Sequence, residues 1–108
     1  MSDRKLLELA AKAAGLSLSR CDDAVWCDER EDFVGWNPLT DDGDALLLMV
    51  RLRLEPRFID NSHSNGAEPS RVTLHNFAGI VENIDGDPYA ATRRAIVRAA
   101  AEIGRQMP

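Results

Sequence analysis

The stretch that most limits what this chain can fold into is its last, PYAATRRAIVRAAAEIGRQ, which reads as one long amphipathic helix. Asp87 offers an N-cap oxygen and Pro88 fits the first helical position, so a helix is expected from there to about Arg105. Tyr89, Thr92, Ile96, Ala99, Ala100 and Ile103 recur on one face, and Arg94, Arg98 and Arg105 form the opposite stripe. A face so rich in alanine lets the helix approach a sheet closely. The rest of the chain is therefore expected to supply that sheet.

Upstream segments fit this demand. Ser2 can cap a first helix in which Leu6, Leu9, Ala10 and Ala13 recur at helical spacing, and Gly15 is placed to end it. LSLSRC alternates with period two and is followed by Asp22-Asp23 and AVWC, which predicts two short strands joined by an acidic turn. DERED reads as a second polar turn, and FVGW as a third short strand. RFID predicts another strand, and NSHSNGAEPS is the most loop-like segment, with Asn65-Gly66 able to make the tight turn of a long hairpin. RVTLHNF then alternates and leads through Ala78-Gly79 into IVENI, predicting two further adjacent strands.

Between these strands lies WNPLTDDGDA, residues 36–45. Asn37-Pro38 disfavours helix, Thr40 offers its hydroxyl as an N-cap, and Asp41, Asp42 and Asp44 fall in or near the first turn, where the helix dipole favours carboxylates. A calcium loop fails here, because counting back from Gly43 as the sixth position puts Pro38 first and Met49 twelfth, where carboxylates are needed. The helix, residues 40–53, is apolar around much of its circumference and is expected to be largely buried, although VRLRL at its end also fits a strand. The order helix, short strands, helix, strands, helix gives an α+β fold: a small antiparallel or mixed sheet flanked by about three helices, sandwich-like. With 108 residues the chain is expected to form one domain.

Composition excludes several classes. Hydrophobic residues make up 44% and charged residues 29%, which suits an ordinary globular protein rather than a disordered one. The longest apolar run, ALLLMV, falls far short of the about 20 residues that span a bilayer, so no membrane role is expected. The first residues carry a helical pattern with acidic side chains rather than a signal peptide, which predicts a cytoplasmic protein. Cys21 and Cys27 are then expected to be thiols, and their spacing, far from His63 and His75, is wrong for zinc. No nucleophile motif, metalloprotease motif or phosphate loop occurs, so neither catalysis nor a cofactor is expected. Cys27 and His75 could meet in space as a thiol–imidazole pair, although a strand histidine is more often an ordinary surface or hydrogen-bonded residue.

Charge is the strongest functional signal. Residues 1–60 hold thirteen acidic and eight basic side chains, whereas residues 61–108 hold five of each. Within residues 21–44, Asp22, Asp23, Asp28, Glu29, Glu31, Asp32, Asp41, Asp42 and Asp44 face Arg30 alone. If they share a surface, that surface mimics DNA or seeks cations and would occupy a basic groove of a partner protein; otherwise they are solvated turns and a helix start. Arg94, Arg98 and Arg105 could serve phosphate, an acidic partner, or the acidic patch of a second copy in a homodimer, with Glu102 available to pair with Arg98. A net charge of −5 opposes general nucleic-acid binding. Among Trp26, Trp36 and Tyr89, most are expected in the core, with Trp36 the one expected to be partly exposed as an interface anchor.

Residues 36–45, the tail 91–104 and the opening LLELAAKAAG together resemble small phage and prophage proteins of the α-β-α sandwich domain family. The resemblance implies an accessory protein working in the host cytoplasm, with a sheet sandwiched by helices. It extends by class and size to inhibitors of host defence, including anti-CRISPR proteins, and carries no activity onto particular residues. The reading is thus a non-enzymatic protein that binds a host or phage protein, expected to be basic, through its acidic first half. The alternative is a protein that binds or sequesters a small, nucleotide-like ligand.

Overall fold

In the computed structural model, which describes residues 2–19, 24–60 and 70–108, the C-terminal helix is the central element. The chain runs α1 (Asp3–Ala14), β1 (Ala24–Cys27), β2 (Asp32–Gly35), α2 (Asp42–Leu52), β3 (Pro56–Ile59), β4 (Arg71–Leu74), β5 (Phe77–Asn83) and α3 (Pro88–Gln106). The fold is α+β, with three helices, one antiparallel pair β1-β2 and one antiparallel sheet of order β3-β4-β5. Helix α3 lies between the three-stranded sheet and α1, and it is the one helix that rests against those strands; α2 leans on α3 and α1.

Capping explains where the helices begin and end. The Ser2 hydroxyl accepts from the Lys5 N–H at 3.2 Å, and Gly15, at φ 73°, closes α1 in the left-handed conformation. The Asp87 carboxylate accepts from Tyr89 and Ala90 and Pro88 opens α3, as the sequence predicts. In α2 the cap is Asp41 rather than Thr40: its carboxylate accepts from the Asp44 N–H at 2.8 Å, and the Thr40 hydroxyl turns back to the Asn37 carbonyl. Helix wins over strand for VRLRL, since α2 continues to Leu52 and Arg53 ends it at φ 55°.

Helix α3 is buried on more than one side. Ile96, Ala99 and Ala100 of the expected apolar face are fully covered, and so are Ala91, Ala95, Val97, Ala101 and Gly104 around the rest of the circumference. Tyr89, assigned to that face, is exposed instead. On the sheet, Val72, Leu74 and Ile80 complete the layer. On α1, Leu6, Leu7, Leu9, Ala10, Ala11 and Ala14 are buried. Contact between α1 and α3 is closest at Gly104, where a Cβ would collide with the Leu9 carbonyl oxygen. Side chains from elsewhere tie the layers: the Arg51 guanidinium donates to the Ala14 carbonyl at 3.0 Å, satisfying the end of α1, and Arg93 Nε donates to the Leu39 carbonyl at 2.9 Å.

Three expectations are corrected. Helix α2 is not largely buried, for only Ala45 and Leu48 are covered while Leu46, Leu47 and Val50 face outward. The reversal between β4 and β5 falls at His75-Asn76, with Asn76 at φ 69°, and not at Ala78-Gly79, which lie within β5 where the register slips against Thr73-Leu74. Asparagine tolerates the left-handed conformation better than most residues, which makes Asn76 the natural pivot. In LSLSRC the described residues, 16–19, form a bridge, Leu18 to Val25, with Ser17 and Ser19 bonded to the backbone of β1. Asn65-Gly66, Cys21, Asp22, Asp23 and His63 lie outside the described residues.

Gly104→Ala is expected to lower stability by about 1–3 kcal/mol, because overpacking against backbone outweighs alanine's higher helix propensity. Gly79→Ala, whose added methyl meets nothing within 4 Å, is the control and should shift the urea midpoint little. Equal midpoints for the two variants would show that α1 and α3 are not in this tight register.

Candidate functional site

The acidic residues of the first half fall into two groups with different surroundings. The first is the β1-β2 hairpin. Its register pairs Val25 with Val34 and Trp26 with Phe33, so alternation sends the valines to one face and the aromatics to the other. Val25 is buried and Val34 packs on the core, while Trp26 and Phe33 remain 41% and 46% exposed. Their rings meet edge to face at 5.3 Å and 76°, and Trp26 Nε1 donates to the Asp28 carboxylate at 2.7 Å. The hairpin thus has an inner face, Val25 and Val34, on the core and an outer face, Trp26 and Phe33, toward solvent.

Its turn carries Asp28, Glu29, Arg30 and Glu31, followed by Asp32. Glu31 donates its N–H to the Asp28 carbonyl and sits at φ 51°. The Asp32 carboxylate accepts from the Phe33 N–H at 2.8 Å. Glu29 and Glu31 have no ion-pair partner among the described residues. Four exposed carboxylates, one guanidinium and two half-exposed rings thus occupy one hairpin.

The second group is the start of α2, where each acid is already engaged. Asp41 is the helix cap, Asp42 pairs with Arg93 at 2.7 Å, and Asp44 accepts from the Asn37 N–H at 2.9 Å. Burial pushes the Asp44 carboxyl above the usual aspartate range; the Asn37 hydrogen bond pulls the other way, and repulsion from Asp41 adds to the rise. These acids shape a helix terminus. They do not extend the hairpin's charge.

The arginine strip is likewise consumed within the fold. Arg94 pairs with Asp3 at 3.1 Å and Glu82 at 3.7 Å, joining α3 to α1 and β5. Arg98 pairs with Glu82 and donates to the Val81 carbonyl at 3.1 Å. Glu102 binds Arg105 at 2.6 Å rather than Arg98, and that guanidinium holds the carboxyl below its usual range. Arg94 and Arg98 line an open groove of about 800 Å³ with Phe77, Ile80 and Glu82, where an anion would have to displace a carboxylate already in place.

Trp36 is corrected outright: it is 3% exposed and belongs to the core, with its indole N–H unpartnered among the described residues. The chain turns inward after Gly35, carrying Trp36 and Pro38 under the helices. Cys27 ends β1 and His75 lies in the β4-β5 turn, and no hydrogen bond joins them. No cluster of three His, Cys, Asp or Glu side chains is placed to hold a metal ion among the described residues, and no helix is long and apolar enough to cross a membrane. Phe33 is the functional candidate the sequence reading passed over; the alternation VW on one side of DERED and FV on the other is the signal that pairs it with Trp26. Comparisons with protein-family models, with curated proteins and with solved structures find no match.

The raised Asp44 value fixes the sign of a pH effect. A carboxyl that binds its proton more tightly when folded contributes stability below its unfolded pKa of about 4, and that contribution is lost as pH rises through the native value. Asp44→Asn keeps an acceptor for Asn37 and cannot ionise. Urea midpoints of the native chain relative to this variant are therefore expected to fall between about pH 3 and pH 6; a relative midpoint that climbs over this range would contradict the assignment.

Proposed function

We propose that this is a non-enzymatic accessory protein of a phage or prophage that acts by gripping a basic patch on a partner protein with its β1-β2 hairpin, as an inhibitor of a host defence component would. The observation that carries the reading is the outward Trp26–Phe33 pair set beside four exposed carboxylates on the hairpin whose other face lies on the core. Aromatic rings supply the desolvated centre of an interface, and the surrounding charges steer and orient the encounter. The resemblance of residues 36–45 and 91–104 to phage and prophage proteins supports the setting.

The aromatic pair also stabilises the hairpin itself, by about 0.5–1.5 kcal/mol beyond its burial. That role accounts for the edge-to-face contact and leaves the outer faces of both rings available. Glu31 offers a way to separate binding from stability. A glutamate in the left-handed region costs about 1 kcal/mol, which asparagine or glycine at the same place would largely relieve. The small-ligand alternative lacks comparable support, since the arginines of the groove between β5 and α3 are paired with Asp3 and Glu82.

Affinity capture from bacterial lysate, at about 0.05 M and 0.5 M salt, separates these roles. The native chain is expected to retain a basic protein at low salt and release it at high salt. Glu31→Asn should keep or raise the urea midpoint by up to about 1 kcal/mol and yet capture less. Phe33→Thr, conservative for a strand, should capture less at either salt. Undiminished capture by both variants would remove the hairpin from the mechanism.

A further inference from the structure

Among the described residues the three-stranded sheet has two free edges, β3 and β5, and an unpaired edge is a template for another strand. Backbone hydrogen bonds show which groups lie on each. His75 donates its N–H to the Glu55 carbonyl at 3.1 Å, so Glu55 and Arg57 turn toward β4 while Pro56 and Phe58 face out. Pro56 has no N–H to offer, which blunts that four-residue edge. On the other side Ile84 donates to the Ser70 carbonyl at 2.8 Å, so alternation turns Glu82 toward β4 and points the N–H and C=O groups of Val81 and Asn83 away from the sheet.

Edge β5 is the longer of the two, seven residues reading FAGIVEN, with no proline and one charged side chain. Its first half is distorted: Phe77 opposes Leu74 and Val81 opposes Thr73, which leaves Ala78, Gly79 and Ile80 unopposed in a bulge that interrupts pairing. The regular stretch from Val81 onward lacks that protection, and there α3 supplies a guanidinium. One terminal nitrogen of Arg98 donates to the Val81 carbonyl at 3.1 Å and to the Glu82 carboxylate, and the other donates to the Gly79 carbonyl at 3.5 Å. The N–H groups of Val81 and Asn83 have no hydrogen-bond partner among the described residues.

We infer that the free edge of β5 is a strand-accepting surface that Arg98 holds shut, and that its occupant once opened is β5 of a second copy of this chain. A strand adding here must donate to the Val81 carbonyl, and that acceptor already has a charged donor, which a neutral amide displaces at a loss. The guanidinium bridges two carbonyls of the edge and so lies across the line an added strand would follow. Glu82 holds it there from the same strand, because its backbone faces β4 while its side chain points to α3. The planar fork of arginine is what lets one side chain serve two carbonyls and a carboxylate; a lysine ammonium is a point charge. Two identical edges meeting antiparallel are related by a two-fold axis, which fuses the two sheets into one.

Sedimentation equilibrium of the full chain from about 1 μM to 1 mM, with amide hydrogen exchange read residue by residue, tests this. Arg98→Met is expected to self-associate at least about tenfold more strongly than the native chain, the effect of freeing one acceptor from a charged donor, and to protect the Val81 and Asn83 amides as it does so. Arg98→Lys keeps a charge for Glu82 but cannot span both carbonyls; it should associate in the same way, less strongly, and it carries the test if Arg98→Met does not fold. Glu82→Gln leaves an acceptor for Arg98 and should associate no more than the native chain. Net charge goes from −5 to −6 when Arg98 is lost and from −5 to −4 when Glu82 is lost, so charge repulsion alone predicts the opposite order. Arg98 variants that associate no more than the native chain, association matched by Glu82→Gln, or association that leaves the Val81 and Asn83 amides exchanging as before each overturns the inference. So does a native chain in which those two amides are already protected.

Discussion

Close approach of α1 to α3 at Gly104 is the constraint from which the rest of the arrangement follows. Two helices can come this near only where one presents no side chain, and Gly104 leaves just the space that the Leu9 backbone fills. Alanines at positions 10, 11, 14, 95, 99, 100 and 101 continue the thin interface on both helices. Because α3 is thin on more than one side, it can be packed against the three-stranded sheet and α1 together. The ion pairs of Arg94 with Asp3 and Glu82 then become geometrically available, since a thicker helix pair would hold Asp3 out of reach.

A core built from alanine has a corollary for the surface. Of the larger apolar side chains, Leu48, Val72 and Val97 are fully enclosed, whereas Trp26, Phe33, Leu46, Val50, Phe58 and Tyr89 are not. Trp36, Leu6, Leu7, Leu74 and Ile96 are buried as well, but the exposed large side chains are not scattered. They collect in two places, the outer face of the hairpin and the seam between α2 and α3.

Sequence patterning revealed local structure well and tertiary choices poorly. Ser2, Gly15, Asp87 and Pro88 mark their helix ends because each acts within three or four residues, a range over which one physical contact decides. Thr40 and Asp41 were both adequate caps, and the turn geometry of 37–40, in which the Thr40 hydroxyl bonds the Asn37 carbonyl, selects Asp41. For α2, composition suggested burial on all sides, yet burial needs a neighbour, and nothing within the described chain covers Leu46 and Val50. The arginine stripe was visible, but its partners were not, since Arg94 reaches Asp3 across most of the sequence and Arg98 reaches Glu82 on a different element. Trp36 misled for a similar reason: a tryptophan beside Asn-Pro looks like a surface turn, while the direction of the chain after β2 is set by the core it enters.

Internal pairing also sharpens the electrostatic picture. Once Arg93, Arg94, Arg98 and Arg105 have taken Asp42, Asp3, Glu82 and Glu102, the second half and the helix start contribute little field to solvent. The net −5 of the chain is then expressed where carboxylates are unopposed, and Glu29 and Glu31 in the hairpin turn are the clearest instances. At physiological ionic strength, screening acts over about 8 Å, so charges within one tight turn add together while those dispersed over a globular surface do not. An exposed turn also keeps its charges surrounded by water, where they cost little stability. The geometry thus converts a modest overall acidity into a localised one, and it does so at the element that also carries the exposed aromatic pair.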